Sequence, residues 1–374
     1  MKIGLDVNPL FGSRGGVGWH VYHLLRAMLE LKEEIDFVGY VRPGAVARFG
    51  QERDLQELAR SPRLRWVEAG QLLLPWRGRW DGLDLFHGPN YKMQTLGRYG
   101  GVVTIHDLWM DRHPEYSTKL LGQRPSFLRT RHTARRARVV ITDSEHSAKD
   151  IVELYGIARE RIAVILNGVS DHFHPGRTAD LPADLVRRFG LPTDRYILFV
   201  GGADPRKNHR TLLQAYAAQA GRLRPYTILV AGGLEHRFGS VPATIRELKL
   251  EDRVVCVGNL TIEDMRLLYA HASVFVFPSR FEGFGLPVLE AMACGVPVIT
   301  SNVTSLPEVA GDAAVLIDPE SPAGLGEALV RVLESSSLQA TLRAKGLERA
   351  ARFTWEKTAR ETVAVYRQVC SSRL

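Results

Sequence analysis

Short apolar runs rich in valine and isoleucine recur along the whole chain, and stretches of helical character separate many of them. In the first half, the predicted strands are Ile3–Val7, Phe37–Val41, Asp84–His87, Val102–His106, Val139–Asp143 and Ile162–Leu166. In the second half, they are Tyr196–Val200, Thr227–Ala231, Arg253–Val257, Ser273–Phe277, Val296–Thr300 and Ala314–Ile317. Continuously apolar runs are typical of parallel strands that helices cover on both faces. The alternation therefore predicts an α/β protein with two successive doubly wound sheets.

The alternation breaks once, near Asp171–Arg195, where prolines and glycines cluster. We interpret this stretch as a linker, and a length of 374 residues also fits two domains. The predicted domains are residues 1–175 and 190–352. A final helical pattern over residues 353–374 follows a potential cap at Thr354, and we expect this helix to pack back on the first domain.

Composition narrows the class of protein. Hydrophobic residues make up 45% and charged residues 24% of the chain, as in globular and not in disordered proteins. No apolar run approaches the roughly 20 residues that span a bilayer, and the N-terminus reads as a first strand and not as a signal peptide. The three cysteines show no metal-ligand spacing, which favours a reducing cytoplasm.

The formal charge of +8 suits anionic partners, but charge alone does not choose among them. Between Tyr116 and Thr142 there are seven basic residues and no acidic one. These basic residues are Lys119, Arg124, Arg129, Arg131, Arg135, Arg136 and Arg138. Two interpretations stay open: a solvated helix face, or a surface that faces a membrane or an acceptor.

A glycine-rich segment that follows the predicted strand Ser273–Phe277 carries the most chemistry. Gly283 and Gly285 let the backbone approach a ligand, and the helix that starts near Pro287 directs free N–H groups outward, which predicts a phosphate site. Glu282 lies in the loop and Glu290 one turn into the helix. Because a carboxylate repels a diphosphate, we expect both to accept hydrogen bonds from hydroxyls, Glu282 from a sugar and Glu290 from a ribose. The alternative is that both merely complement the positive end of the helix.

A second basic motif follows the strand Tyr196–Val200. Gly201 and Gly202 are followed by Arg206 and Lys207 just before a predicted helix. Fixed cations stabilise a diphosphate as it leaves; arginine binds two oxygens and lysine adds a point charge. Taken alone, such a pair of cations more often lies on the surface without a binding role. No Asp-x-Asp pair lies in a suitable loop, so we predict that these cations replace a metal and that the chain has no metal site.

Together, the two motifs resemble the signature of glycosyltransferase family 4, a large retaining family with the GT-B fold. The resemblance covers essentially the whole chain and implies two Rossmann-like domains, an interdomain cleft that closes over the substrates and a C-terminal helix that crosses back. It implies that Arg206 and Lys207 bind the diphosphate. The residues that it places at the donor are Gly15, Gly16, Gly202, Gly258, Gly283, Phe284, Gly285, Leu286 and Glu290.

The first domain carries the other expected residues. The resemblance places His106 beside the transferred sugar, and it makes His106, Glu282, Arg206 and Lys207 the candidate catalytic residues. Asp107 is expected either to orient the imidazole of His106 or to cap the following turn, and it is assigned with Arg14 to the acceptor side. The stretch Arg112–Tyr116 resembles mannosyltransferase members and points to GDP-mannose.

The implied activity is retaining transfer of a hexose, with mannose favoured, to a glycan or lipid-linked acceptor. No cofactor is expected, and the nucleotide sugar is a substrate. The expected location is the cytoplasm, with peripheral association at the inner membrane face through residues 116–142.

Other classes fit less well. A nucleotide-sugar epimerase or a phosphorylase shares the fold. An oxidoreductase is disfavoured because the glycines of Gly12–Gly18 miss the G-x-G-x-x-G spacing and no acidic residue ends Phe37–Val41. Nucleic-acid binding is disfavoured because the basic residues lack interleaved aromatic side chains.

Overall fold

The computed structural model describes residues 1–11, 15–47, 53–70, 78, 80–93, 101–116, 126–176, 183–191, 195–258 and 260–371. The chain divides into two compact units. Unit 1 combines Met1–Gly168 with Thr354–Leu374, and unit 2 is Val169–Phe353.

The described residues form strands and helices throughout both units. The strands are β1 (Lys2–Asp6), β2 (Asp36–Val41), β3 (Leu64–Glu68), β4 (Leu85–Gly88), β5 (Gly101–Thr104), β6 (Val139–Thr142), β7 (Ile162–Val164), β8 (Tyr196–Val200), β9 (Thr227–Ala231), β10 (Glu235–His236), β11 (Gly239–Ser240), β12 (Val254–Gly258), β13 (Val274–Phe277), β14 (Val298–Ser301) and β15 (Val315–Ile317). The helices are α1 (Gly16–Glu30), α2 (Arg53–Ala59), α3 (Trp109–Arg112), α4 (Ser126–Arg136), α5 (Glu145–Tyr155), α6 (Ala183–Phe189), α7 (His209–Ala218), α8 (Ala220–Leu223), α9 (Val241–Glu247), α10 (Ile262–His271), α11 (Leu286–Ala293), α12 (Leu306–Ala310), α13 (Pro322–Glu334), α14 (Ser336–Ala350) and α15 (Trp355–Ser371).

The sheet of unit 1 has the strand order β3-β2-β1-β4-β5-β6-β7, and every described pair is parallel. After β1 the chain continues first to β2 and β3 on one side and then to β4 on the other. Ligands of open α/β sheets bind outside the carboxyl ends of the strands at such a reversal. The carboxyl ends of β1, β4, β5 and β6 are therefore the positions to inspect.

The last helix, α15, belongs to unit 1 and packs against α1. Its start is capped as predicted, because the hydroxyl of Thr354 accepts a hydrogen bond of 3.2 Å from the backbone N–H of Lys357. Farther along this helix, the buried hydroxyl of Tyr366 lies 2.6 Å from Nδ1 of His87 in β4. Val363, Tyr366 and Val369 are buried in the same apolar core as β1 and α1. The C-terminal segment is thus an integral part of unit 1.

Unit 2 contains a parallel sheet in the order β12-β9-β8-β13-β14-β15 and a short antiparallel pair, β10 and β11. Helices α7 and α13 pack together, as do α11 and α14. Strands β8, β9 and β13 are buried at nearly every position. This burial on both faces accounts for their continuously apolar sequences.

All the predicted strands are present, and their ends agree with the predicted ones to within two residues. Strands β3, β10 and β11 were not predicted. Strand β3 has the sequence Leu-Arg-Trp-Val-Glu, and it is an edge strand with exposed positions, so it lacks a continuous apolar run. The stretch around residues 171–195, which we interpreted as a linker, lies in unit 2 and contains α6.

Candidate active site

Lys207 and Glu282 meet at the carboxyl edge of the sheet of unit 2. Nζ of Lys207 lies 2.7 Å from Oε1 of Glu282, and the hydroxyl of Ser279 donates to the same oxygen at 2.6 Å. The side chain of Lys207 is 15% exposed and that of Glu282 is 8% exposed. Oε2 of Glu282 makes no hydrogen bond within the described part of the chain, so one oxygen of this carboxylate is available to a ligand.

Arg206 and Lys207 lie on a short 3₁₀ turn, Pro205–Lys207, that follows β8. Asp204 caps this turn by accepting from the backbone N–H of Arg206 at 3.1 Å, and it also pairs with Nε of Arg206 at 2.9 Å. The carbonyl oxygen of Arg206 accepts from the backbone N–H of Arg280 at 2.7 Å and lies 2.8 Å from the hydroxyl oxygen of Ser279. These contacts fix the turn to the loop that carries Glu282, so both cations are held in place before any ligand binds.

Gly202 precedes this turn, and its conformation requires glycine. Its φ is +75°, and a Cβ atom at this position would lie 2.0 Å from the carbonyl oxygen of Gly233. Gly258, at the end of β12, also has a positive φ of +63°, but a Cβ atom there would meet no atom of a described residue within 4 Å. The protein itself therefore demands glycine at 202, whereas at 258 only the backbone angle favours it.

The loop from Gly283 to Leu286 leads into α11. Gly285 is the N-cap residue of this helix with a φ of +108°, and Leu286 is the first helical residue. The hydroxyl oxygen of Ser305 lies 2.9 Å from the carbonyl oxygens of both Glu282 and Phe284, and this contact fixes the loop. The first N–H groups of a helix have no intrahelical acceptor, and here they lie on a loop already fixed by the protein.

Glu290 lies one turn into α11, as predicted. Its Oε2 accepts a hydrogen bond of 3.2 Å from the hydroxyl of Tyr269. Burial raises the pKa of Glu290 to about 7, and the hydrogen bond from Tyr269 opposes that rise. Burial therefore favours the protonated form of the Glu290 carboxyl group.

In unit 1, His106 follows β5 and is hydrogen-bonded through both ring nitrogens. Nδ1 lies 2.7 Å from Oδ2 of Asp143, and Nε2 lies 3.1 Å from the carbonyl oxygen of Pro89. Burial lowers the pKa of His106, but the Asp143 carboxylate, the Pro89 carbonyl and the charge of Asp107 outweigh burial and raise it. Because both nitrogens face acceptors, this arrangement favours the imidazolium form.

Asp107 has the second of its two expected roles. Its Oδ1 accepts from the backbone N–H of Trp109 at 3.1 Å, so it caps the turn into α3. The carboxylate that orients His106 is instead that of Asp143, which follows β6. Ser144, the next residue, caps α5 by accepting from the backbone N–H of Ser147 at 3.1 Å.

Sequence reasoning missed His20, which lies in α1 beside His106. The two ring centroids are 4.7 Å apart, and Nδ1 of His20 lies 2.8 Å from Oδ1 of Asn167. Burial lowers the pKa of His20 to about 4, with a further contribution from the charge of His106. The position of His20 just after Gly15 and Gly16 was the available signal, since it lies one turn into the helix that those glycines begin.

Gly15 is the N-cap residue of α1 and Gly16 is its first residue. Neither has a positive φ, and a Cβ atom at either would meet no atom of a described residue within 4 Å. No contact with a described residue therefore demands glycine here. Arg14 lies outside the described residues.

A pocket of about 460 Å³ opens at the carboxyl ends of β1 and β2 in unit 1. Its polar and aromatic lining includes Asp6, Asn8, Phe11, Arg42, Asn90 and Lys92. Asp6 and Asn8 bond to each other, with Nδ2 of Asn8 lying 2.6 Å from Oδ1 of Asp6. Arg42 and Lys92 are exposed, and neither side chain pairs with a carboxylate in the described part of the chain. The pocket thus offers two cations and several hydrogen-bonding groups to a ligand.

The basic stretch of residues 116–142 is described only in part, since Lys119 and Arg124 lie outside the described residues. Arg129, Arg135 and Arg136 are exposed on α4, and Arg138 is exposed just after it. None of the described helices is both long and apolar enough to cross a membrane.

The chain matches known proteins over both units. The profile of the family described as Glycosyltransferase Family 4 matches residues 14–173, and that of Glycosyl transferases group 1 matches residues 185–349. Over 325 residues, the chain is 34% identical to O-antigen chain mannosyltransferase B of Escherichia coli, covering 84% of this chain and 83% of that protein. The chain therefore belongs to glycosyltransferase family 4 and is a glycosyltransferase.

Three further comparisons concern one more relative and two solved structures. The chain is 30% identical over 247 residues to the serotype-specific mannosyltransferase WbdA of Escherichia coli, which covers 63% of this chain but only 29% of WbdA. Among solved structures, sucrose-phosphate synthase from Thermosynechococcus elongatus aligns with a TM-score of 0.76 at 23% identity, over 99% of both chains. HepE of Anabaena, solved with UDP, aligns with a TM-score of 0.75 at 19% identity, over 98% of this chain and 99% of that chain. The two-sheet architecture is the GT-B fold, as predicted.

Proposed function

We propose that the chain is a retaining, metal-independent transferase that moves a hexose, with mannose favoured, from a nucleoside diphosphate sugar to a glycan or lipid-linked acceptor. The observation that carries this proposal is the fixed pair of cations, Arg206 and Lys207, next to a buried carboxylate with one available oxygen. The names of the Escherichia coli relatives support mannose, and GDP-mannose is the favoured donor. The complexes of HepE with UDP and UDP-glucose support the donor class.

The cations act on the leaving group. As the bond between the anomeric carbon and the phosphate oxygen breaks, negative charge develops on the diphosphate, and Arg206 and Lys207 stabilise it. One N–H of Lys207 is directed to Glu282. The other two can serve the diphosphate, while Oε2 of Glu282 accepts from a hydroxyl of the sugar. This division of roles needs no metal ion.

Retention follows from attack on the same face of the sugar. The acceptor oxygen bonds to the anomeric carbon as the phosphate oxygen departs, and that phosphate oxygen takes the proton of the acceptor hydroxyl. His106, oriented by Asp143, serves a sugar hydroxyl by exchanging its contact with the Pro89 carbonyl. Trapping of a glycosyl group on any side chain would contradict this mechanism.

The pocket of unit 1 supports an acceptor that carries both hydroxyls and negative charge. Arg42 and Lys92 suit a phosphate or carboxylate group, and Asp6 and Asn90 suit hydroxyls. A phosphate-bearing lipid carrier or an anionic glycan meets both requirements, which is consistent with polysaccharide synthesis. The exposed arginines of α4 suit an anionic membrane surface at the inner face, and no partner nucleic acid is proposed.

Nucleotide binding tests the donor part of the proposal. Calorimetric titrations with GDP, UDP, ADP and dTDP, each in EDTA, are made on the wild type, on Arg206→Ala and on the control Arg222→Ala. Arg222 is exposed on α8 and pairs with Glu334, so it is not part of the turn that carries Arg206. We expect one nucleotide to bind, and Arg206→Ala alone to weaken it by ~1.5–3 kcal/mol. Equal nucleotide affinity of Arg206→Ala and Arg222→Ala, or no binding of any nucleotide, would contradict the donor part of the proposal.

The stereochemical part needs a separate measurement. The anomeric configuration of the first product is read by NMR with an α-linked donor such as GDP-mannose. Retention yields an α-linked product. A β-linked product would remove the same-face mechanism while leaving the transferase assignment intact.

A further inference from the structure

The buried side chains of His20, His106 and Asp143 converge in unit 1. His20 comes from α1, His106 follows β5 and Asp143 follows β6, and one potential ligand atom of each lies within 4.8 Å of the others. Nε2 of His20 and Oδ1 of Asp143 have no hydrogen-bond partner within the described residues. His20 is 4% exposed and Asp143 is 3% exposed. Buried polar atoms without partners are unfavourable, so these two atoms point to a ligand that the chain does not supply.

The outer nitrogens of both histidines show the pattern of metal ligands. Nδ1 of His20 lies 2.8 Å from the side-chain oxygen of Asn167, and Nε2 of His106 lies 3.1 Å from the carbonyl oxygen of Pro89. When these nitrogens donate, the inner nitrogen of His20 presents its lone pair to the cluster, and that of His106 does so once its proton has left. Histidines that bind metals almost always donate their other N–H to an oxygen in this way.

We propose that His20, His106 and Asp143 form a binding site for a divalent transition-metal ion such as Zn²⁺, and that the bound ion inhibits sugar transfer. Two imidazoles and one carboxylate are a ligand set that Zn²⁺ accepts, with a fourth position left for water. Tetrahedral coordination brings ligand atoms to about 3.4 Å from one another, so small side-chain rotations close the observed separations.

Binding exchanges a proton for the ion. The hydrogen atom between Nδ1 of His106 and Asp143 is replaced by the metal, and that proton leaves to solvent. His106 then presents a ring fixed to the ion and loses its charge. The proposed inhibition rests on the proposed function, because that function assigns His106 to a hydroxyl of the sugar. The proposed metal binding does not depend on it.

Direct metal binding is the deciding experiment. Untagged full-length protein, stripped with a chelator, is titrated with Zn²⁺ against a chromophoric chelator, and with Co²⁺ to record the visible absorption of tetrahedral coordination. The variants are His20→Gln, Asn167→Ala and the control His23→Gln. His23 is also a buried histidine of α1, stacked on Trp355 and outside the cluster.

A graded result is expected. Loss of an outer partner typically weakens metal binding about 10–100-fold, so Asn167→Ala should fall in this range, and loss of a ligand in His20→Gln should cost at least about 100-fold. His23→Gln should bind as the wild type does. Equal affinity of the wild type and Asn167→Ala, or the absence of one-to-one binding by the wild type, overturns the site, and this holds even where His20→Gln does not fold.

Transfer assays with and without Zn²⁺ then test inhibition. We expect Zn²⁺ to inhibit sugar transfer by the wild type and to leave transfer by His20→Gln unchanged. Zn²⁺ bound without loss of activity overturns the inhibitory role and leaves the site. A protein that transfers no sugar under any condition contradicts the proposed function, whereas the Zn²⁺ titration still decides the site.

Discussion

Nζ of Lys207 lies 2.7 Å from Oε1 of Glu282, although 75 residues separate the two in sequence. The sequence motifs suggest separate roles for them, one on the diphosphate and the other on the sugar. Their contact means that each holds the other in position. The diphosphate and the sugar hydroxyl are therefore bound by one coupled unit, and a change in either residue is expected to affect both.

Replacing Lys207 by Met should reduce both stability and nucleotide binding. The side chains are 15% and 8% exposed, so the variant leaves the Glu282 carboxylate mostly buried, with Ser279 as its one remaining partner among the described residues. Breaking such a pair is expected to lower the free energy of unfolding by about 3 kcal/mol. Denaturant titration measures stability, and calorimetry measures nucleotide affinity.

The double variant Lys207→Met/Glu282→Gln separates the two effects. It removes both charges, so stability should recover while nucleotide affinity stays low. A double variant as unstable as Lys207→Met would show that the ion pair does not account for the loss.

Donor affinity should depend on pH through Glu290. Burial raises the pKa of Glu290 to about 7, and the ionised carboxylate is the better acceptor for ribose hydroxyls. Nucleotide affinity should therefore decrease as pH falls through about 7. The terminal phosphate of the nucleotide also titrates near ~6, so the same series is measured on Glu290→Gln. The difference between the two pH profiles isolates Glu290; parallel profiles would argue against its role at the ribose.

The raised pKa of Glu290 also affects folding stability, which should decrease as pH rises, whereas nucleotide affinity should decrease as pH falls. Because the pKa in the folded protein lies above that of the unfolded chain, stability from this group is present below the unfolded pKa and is lost as pH rises through about 7. Glu290→Gln should remove this decline. Thermal unfolding of the wild type and the variant at several pH values, without nucleotide, checks this expectation.

Gly202 and Gly258 provide a matched pair of substitutions. Both have a positive φ, but only at Gly202 would a Cβ atom meet the backbone, 2.0 Å from the oxygen of Gly233. Gly258→Ala should lose ~1–2 kcal/mol from backbone strain alone. Gly202→Ala should lose clearly more and also weaken nucleotide binding, because the turn that carries Arg206 must shift. The denaturant midpoints of the two variants measure their losses of stability. Equal losses would show that the backbone near Gly233 moves to accommodate the new Cβ atom without further loss of stability.

The contact between Tyr366 and His87 should stabilise unit 1. The Tyr366 hydroxyl is buried and lies 2.6 Å from Nδ1 of His87. Tyr366→Phe keeps the ring and leaves this nitrogen unpaired, which is expected to cost about 1–3 kcal/mol. Calorimetry measures the transition of unit 1, and nucleotide affinity serves as a control that should stay unchanged. An unchanged unfolding temperature would contradict the prediction.

Periodicity and motifs predicted the sheets well because strands such as β8 and β13 are buried on both faces and so are apolar throughout. Edge strand β3 escaped prediction because its polar positions face solvent. Motifs also identified the loop of Glu282 and the turn of Arg206. They did not reveal that Asp143 binds His106, since strand order brings these residues together from different parts of the sequence.

Unit 1 takes its first strand from the beginning of the chain and its last helix from the end, whereas unit 2 is the continuous segment Val169–Phe353. During synthesis, every residue of unit 2 leaves the ribosome before Tyr366 becomes available to His87. Unit 2 can therefore complete its packing first, while the core between α1 and the sheet stays uncovered until α15 emerges. The final helix thus sets the moment at which the nascent protein buries that surface, and truncation there would expose it permanently.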